Sequence, residues 1–171
     1  MKKLSNPYLI QFAGLKNGEH IFDYVIDDSF FKGRKYSEIQ QANIRAHITL
    51  TKETHLLIFL IKLEGSIRVM CDRCGDYFYL PVWGENKLIA SLTNDRFENE
   101  NDIVSIPIDS SEIDIAQFLY EYIAVLLPQR RIHPDNGCNA ESLKILGNLS
   151  KKEKENHADP RWEQLRKIKT N

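Results

Sequence analysis

The segments Cys71-Asp72-Arg73-Cys74-Gly75 and His133-Pro134-Asp135-Asn136-Gly137-Cys138 contain every cysteine of the chain. Two cysteines with two residues between them can grip one metal ion from a single tight turn. A histidine and a third cysteine can complete a tetrahedral set. If Cys71, Cys74, His133 and Cys138 do share an ion, the fold must return the chain after residue 130 to the turn at 71–75.

Two other readings of the same cysteines stand beside this one. They can be reduced thiols at a turn, with Cys138 a small apolar residue, or they can be a redox pair. A redox pair of the thioredoxin kind needs a helix N-terminus to lower a thiol pKa. Here Ile67-Arg68-Val69-Met70 before the pair and Tyr77-Phe78-Tyr79-Leu80-Pro81-Val82-Trp83 after it both read as strand. That favours a metal knuckle over a thiol oxidoreductase. No nucleophile elbow, phosphate-binding glycine loop, dinucleotide fingerprint or zinc-protease motif occurs, so the chain reads as a non-enzyme with no small-molecule substrate.

Composition narrows the class further. With 42% hydrophobic residues in 171, one domain with a sizeable core is expected. A net charge of −1 excludes a polybasic nucleic-acid binder. No apolar run follows Lys2 and Lys3, as a secretory signal would require. The run Leu56–Leu63 is too short to span a bilayer. A cytoplasmic location without a membrane follows, and there a CxxC pair is more often metal-binding or redox-active than a structural disulfide.

Periodicity divides the chain. Residues 1–93 read as mainly β, with strands at Tyr8–Ala13, His20–Asp27, Ile44–Thr51, Leu56–Leu63, Ile67–Met70, Tyr77–Trp83 and Lys87–Leu92. Gly65-Ser66 is expected to bend or bulge the run that contains it, and Pro81 suggests an edge strand or a bulge. Asp28–Lys32 reads as one helical turn ended by Gly33. Residues 94–110 form an acidic loop: from Asp95 to Asp114 seven acids face one base. Residues 111–171 read as mainly α. Ser111 and Asp114 offer a capping box for a long helix that ends at Pro128. Ala140–Leu149 is a shorter helix, and Asp159-Pro160 opens another carrying Trp162, Leu165 and Ile168 on one face. The tail from Lys144 has eight bases and four acids.

Arg68, Arg73, Tyr77, Tyr79 and Trp83 interleave bases and aromatics on strand-like segments, as RNA-reading sheets do. The same aromatics also fit one face of a half-buried sheet. Arg130 and Arg131 after the long helix add candidate phosphate contacts.

Taken in order, these features resemble the YceD-like family. The residues that carry the likeness are the Cys71-x-Arg73-Cys74 knuckle between strands, the acidic stretch, and Asp114-Ile115 opening a helix that ends Ala124-Val125-Leu126-Leu127-Pro128. His133-x4-Cys138 and Asp159-Pro160-Arg161-Trp162 before a basic end complete it. The stretch Gln129-Arg130-Arg131-Ile132-His133-Pro134 is most like members from the Bacteroidetes group. Many members carry more than one cysteine after the long helix; here Cys138 stands alone, so a fourth zinc ligand would have to be His133. The resemblance implies a bacterial ribosome-biogenesis factor that supports accumulation of large-subunit (23S) ribosomal RNA, through contact with that RNA or a ribosomal protein. The residues alone leave open a zinc-ribbon-like RNA- or protein-binding module of another role. The expected fold is α+β: an N-terminal antiparallel sheet with a CxxC knuckle, which could curl into a barrel-like form, packed by the long helix and a short helical C-terminal segment.

Overall fold

The computed structural model describes residues 6–32, 34, 37–93, 103–134 and 137–154, with backbone alone for 151–154. The expected helix at Asp159–Ile168, most of the acidic loop and Gly33 lie outside the described residues. Contacts divide the chain into two compact units. One comprises Met1–Val69 with Tyr79–Gln129, and the other Met70–Phe78 with Arg130–Asn171.

The first unit is built on an open five-stranded sheet. Its strands are β2 (Gly18–Ile26), β3 (Ala42–Lys52), β4 (Leu56–Met70), β5 (Tyr77–Leu92) and β6 (Ile103–Ile106), in that spatial order. A separate ladder joins β1 (Leu9–Ile10) to β7 (Ile113–Asp114). Alternation drives the sheet. Ala42, Ile44, Ala46, Ile48 and Leu50 of β3, and Leu57, Phe59, Ile61 and Leu63 of β4, are all buried on one face. Burying each Ile, Leu or Phe of this set is worth about 1.5–3 kcal/mol of transfer free energy. Such alternation specifies register strongly, because a slip of one residue would turn the whole set to solvent.

Several expectations are corrected. The sheet is not wholly antiparallel: β5 and β6 pair in parallel, Ile89 opposite Ile103 and Leu92 opposite Ile106. Strands joined as a hairpin run antiparallel, whereas parallel partners need a crossover between them. Nor is the sheet a barrel, since β2 and the four-residue β6 remain its two ends and closure would require them to pair.

Gly65-Ser66 does not interrupt the strand. β3 and β4 pair without a break from Ala42–Ile67 to Lys52–Leu57. A Cβ on Gly65 would come within 2.1 Å of the Asn43 carbonyl oxygen and 2.6 Å of the Ile44 Cα. The glycine thus admits a close backbone approach rather than a bulge. Tyr77–Trp83 and Lys87–Leu92 are likewise one strand, β5. Pro81 falls outside the stretch that pairs with β6, which is an edge position as expected.

The long helix is also shorter than expected. Helix α2 spans Ala116–Leu126, 11 residues, an ordinary length. Ile113 and Asp114 are claimed by β1, so the capping box of Ser111 and Asp114 does not form. Instead the Asp114 carboxylate accepts from the Ala116 amide at 2.8 Å, and Ile115 is the N-cap without a side-chain cap bond. Leu119 and Ile123 are fully buried, and the Leu126 Cδ2 lies where a Cβ on Gly84 of β5 would be. Helix α1 (Asp28–Phe31) is the single turn expected, and Asp27 caps it through the Ser29 amide.

The second unit holds the turn from 71 to 76, the start of β5, the loop from Arg130 and helix α3. This helix spans Ala140–Lys154, 15 residues, so the C-terminal helical segment is longer than α2 rather than short. Asn139 opens it, its side chain accepting from the Glu141 amide at 2.9 Å, the usual N-cap role of asparagine.

Candidate metal centre

The two cysteine-bearing segments meet in the second unit. The sulfurs of Cys71, Cys74 and Cys138 and the Nδ1 of His133 all lie within 4.8 Å of one another, a group that could hold a metal ion. The Cys71 and Cys138 sulfurs are 3.8 Å apart. His133 Nδ1 is 3.5 Å from the Cys74 sulfur and 3.8 Å from that of Cys138. A metal about 2.3 Å from sulfur and about 2.0–2.1 Å from nitrogen in a tetrahedron separates its ligands by about 3.8 Å (sulfur to sulfur) and about 3.6 Å (sulfur to nitrogen). These three separations therefore already match edges of such a tetrahedron.

Local backbone explains the convergence. After β4 the chain turns through Asp72, Arg73 and Cys74, with the Gly75 amide donating to the Cys71 carbonyl at 2.9 Å and the Cys71 amide to the Asp76 carbonyl at 2.9 Å. Gly75 has φ of +83°, a conformation glycine adopts without steric cost. The turn also points the Arg73 amide at the Cys71 sulfur, 3.4 Å away. On the other segment the Gly137 amide donates to the Pro134 carbonyl at 3.0 Å, a turn that brings Cys138 back toward His133.

Three contacts hold the segments together, and none was legible in the sequence. Asp72 and Arg131 exchange hydrogen bonds. The Asp72 amide donates to the Arg131 carbonyl at 2.8 Å, and the Arg131 amide to the Asp72 carboxylate at 2.6 Å. Ser142 of α3 donates its hydroxyl to the Cys74 carbonyl at 3.2 Å. The Phe78 ring lies 4.5 Å from the His133 ring, centroid to centroid. Asp72 at least lay inside the CxxC motif, where a side chain able to accept from a neighbouring amide could have been noted.

The thiols differ. Burial raises the Cys71 pKa, but hydrogen bonds from the Cys74, His133 and Arg73 amides and from the His133 ring outweigh it, bringing the group from 9.0 to about 6. Burial raises the Cys138 thiol, and its hydrogen bonds and charge repulsion with Cys71 and Cys74 raise it further. A thiolate is the form that binds metal, so Cys71 is poised to coordinate. The three cysteines are free thiols. Neither Cys71 nor Cys74 stands at a helix N-terminus, as a thioredoxin-type pair would.

The candidate RNA-contacting residues are divided between the units. Arg68 and the 62%-exposed Tyr79 belong to the first. Arg68 donates to the Gln41 side chain at 2.7 Å. Arg73, Tyr77, Arg130 and Arg131 belong to the second, with the cysteine–histidine cluster. Among the described residues no helix is long and apolar enough to cross a membrane.

Fold and cluster define an α+β protein with a candidate metal centre of three cysteines and one histidine set on a β-hairpin turn. The family model described as "Large ribosomal RNA subunit accumulation protein YceD" matches residues 60–169, and the chain belongs to this family. A search of the curated proteins and one of the solved structures each found no match.

Proposed function

We propose that the protein is a non-enzymatic, cytoplasmic ribosome-biogenesis factor that supports accumulation of 23S ribosomal RNA by contact with that RNA or with a ribosomal protein. The family match over residues 60–169 is the observation that carries this reading. Cys71, Cys74, His133 and Cys138 hold zinc. The near-tetrahedral spacing and the all-sulfur-and-nitrogen donor set support this ion. Four protein ligands leave no open position for water or substrate, so the ion is structural. Arg68, Arg73, Tyr77, Tyr79, Arg130 and Arg131 are the first residues to test for RNA contact.

The test is crosslinking in cells, followed by sequencing of bound RNA and identification of bound protein. Enrichment of large-subunit RNA or of a ribosomal protein is expected. Recovery of neither overturns the reading. Metal analysis of the purified protein is expected to find one zinc per chain, and a metal-free, fully folded protein would overturn the zinc assignment.

A further inference from the structure

The outward face of the sheet in the first unit carries an open hollow of about 300 Å³ lined by Asn43, Arg45, Glu64, Gly65 and Ser66. Arg45 and Glu64 are direct partners in the β3–β4 register. Opposite charges in that relation usually attract one another across the strands. Here both line the hollow, and among the described residues neither forms an ion pair. A guanidinium fork and a carboxylate thus stand side by side, each free to bind something else.

An aromatic side chain stands next to them. Lys62 and Glu85 are ion-paired between β4 and β5 at 3.4 Å, and the Cys71–Asp76 hydrogen bond closes the same hairpin. Two residues further along each strand, on the same outward face, this register sets Trp83 beside Glu64. Trp83 is 80% exposed, so the face of its ring is open to stack on a flat partner.

We propose that this face binds one unpaired nucleotide of an RNA strand. The base stacks on Trp83, Glu64 accepts from its N–H edge, Asn43 and Ser66 supply further polar contacts, and Arg45 meets the phosphate. A carboxylate repels phosphate but accepts from a base amine, and an exposed ring stacks any base. Both features require the base to be out of a duplex, since paired bases are stacked inside and the sheet cannot reach them. The inference rests on the RNA arm of the proposed function and adds to it a site and a form of substrate.

Binding of the full chain to a fluorescent single-stranded RNA of mixed sequence, and to its duplex, tests the site. Single strands are expected to bind at least about tenfold more tightly than duplex. Trp83→Ala is expected to weaken single-strand binding by about tenfold or more, with Trp83→Phe retaining most of it and Glu64→Lys favouring duplex and single strand alike. Trp83 is on the surface, so these variants fold, which circular dichroism checks. Equal binding by Trp83→Ala and the parent overturns the site while leaving RNA contact elsewhere intact. No RNA binding in solution, with only a ribosomal protein crosslinked in cells, overturns the site and favours the protein arm. If neither RNA nor ribosomal protein is recovered, both readings fall.

Discussion

Asp72 and Arg131 bind each other twice, through an amide-to-carbonyl bond at 2.8 Å and an amide-to-carboxylate bond at 2.6 Å. This pair joins the knuckle of Cys71 and Cys74 to the loop that leads to His133. It therefore sets the distance between the two halves of the metal centre. Asp72→Ala keeps the turn but removes the carboxylate bond. We expect its zinc affinity to fall about 10- to 100-fold, the usual cost of losing an outer support. Competition with a chromogenic chelator measures this, and an unchanged affinity would show the clamp to be incidental.

Chelation should act on one unit and spare the other. Among the described residues of the second unit only Cys71 and Cys138 are buried, and both are candidate ligands. Described residues with no buried aliphatic side chain depend on the metal for order. Hydrogen exchange after zinc removal should be fast at residues 70–78 and 130–154. Amides of β3 and β4, over Ile44, Ile48, Phe59 and Ile61, should stay protected. Uniform loss of protection would refute this division.

Two glycines should respond differently to alanine. At Gly65 the new Cβ would meet backbone, the Asn43 oxygen at 2.1 Å, and backbone cannot step aside without breaking the ladder. Gly65→Ala should cost about 3 kcal/mol or more, at the upper end for overpacking. At Gly84 the obstruction is Leu126 Cδ2 at 2.4 Å, the end of a flexible side chain. Gly84→Ala should cost about 1 kcal/mol or less after that rotamer moves. Urea unfolding of the two variants decides between them.

Asp27 gives a pH signature. The Ser29 hydroxyl and amide both donate to its carboxylate and hold its pKa below the usual value. A carboxylate lowered by folding binds fewer protons folded than unfolded. Its stabilisation is therefore present above about pH 4, the unfolded value, and disappears as pH falls through the folded one. The stability difference between the parent and Asp27→Ala should be full at neutral pH and close toward acid. A difference that persists in acid would assign the effect to packing.

Local signals were legible in the residues because they act within a few positions. The alternation of Ile44 to Leu50 made that segment a strand and chose its inner face, and the apolar run Leu56–Leu63 marked a second strand without choosing one. The run Ala140–Leu149 marked α3, though not its full length. The CxxC spacing with Gly75 made a metal-gripping turn, and its flanking strands argued against a redox helix.

What remained depended on partners far along the chain. Ile113 and Asp114 carry a helical pattern, yet β1 takes them as a strand, because pairing with Leu9 and Ile10 bonds backbone groups whose amides a first helical turn would leave without a partner. Gly65 reads as a break until β3 lies close enough to need its missing side chain. The direction of β6 and the open ends of the sheet follow from which strands meet. The cysteine spacing alone determined that a metal centre of Cys71, Cys74, His133 and Cys138 was chemically available. Only the tertiary structure decided that it assembles, because bringing Cys74 and His133 together across 59 positions takes chain-closure entropy that only contacts such as the Asp72–Arg131 pair can offset.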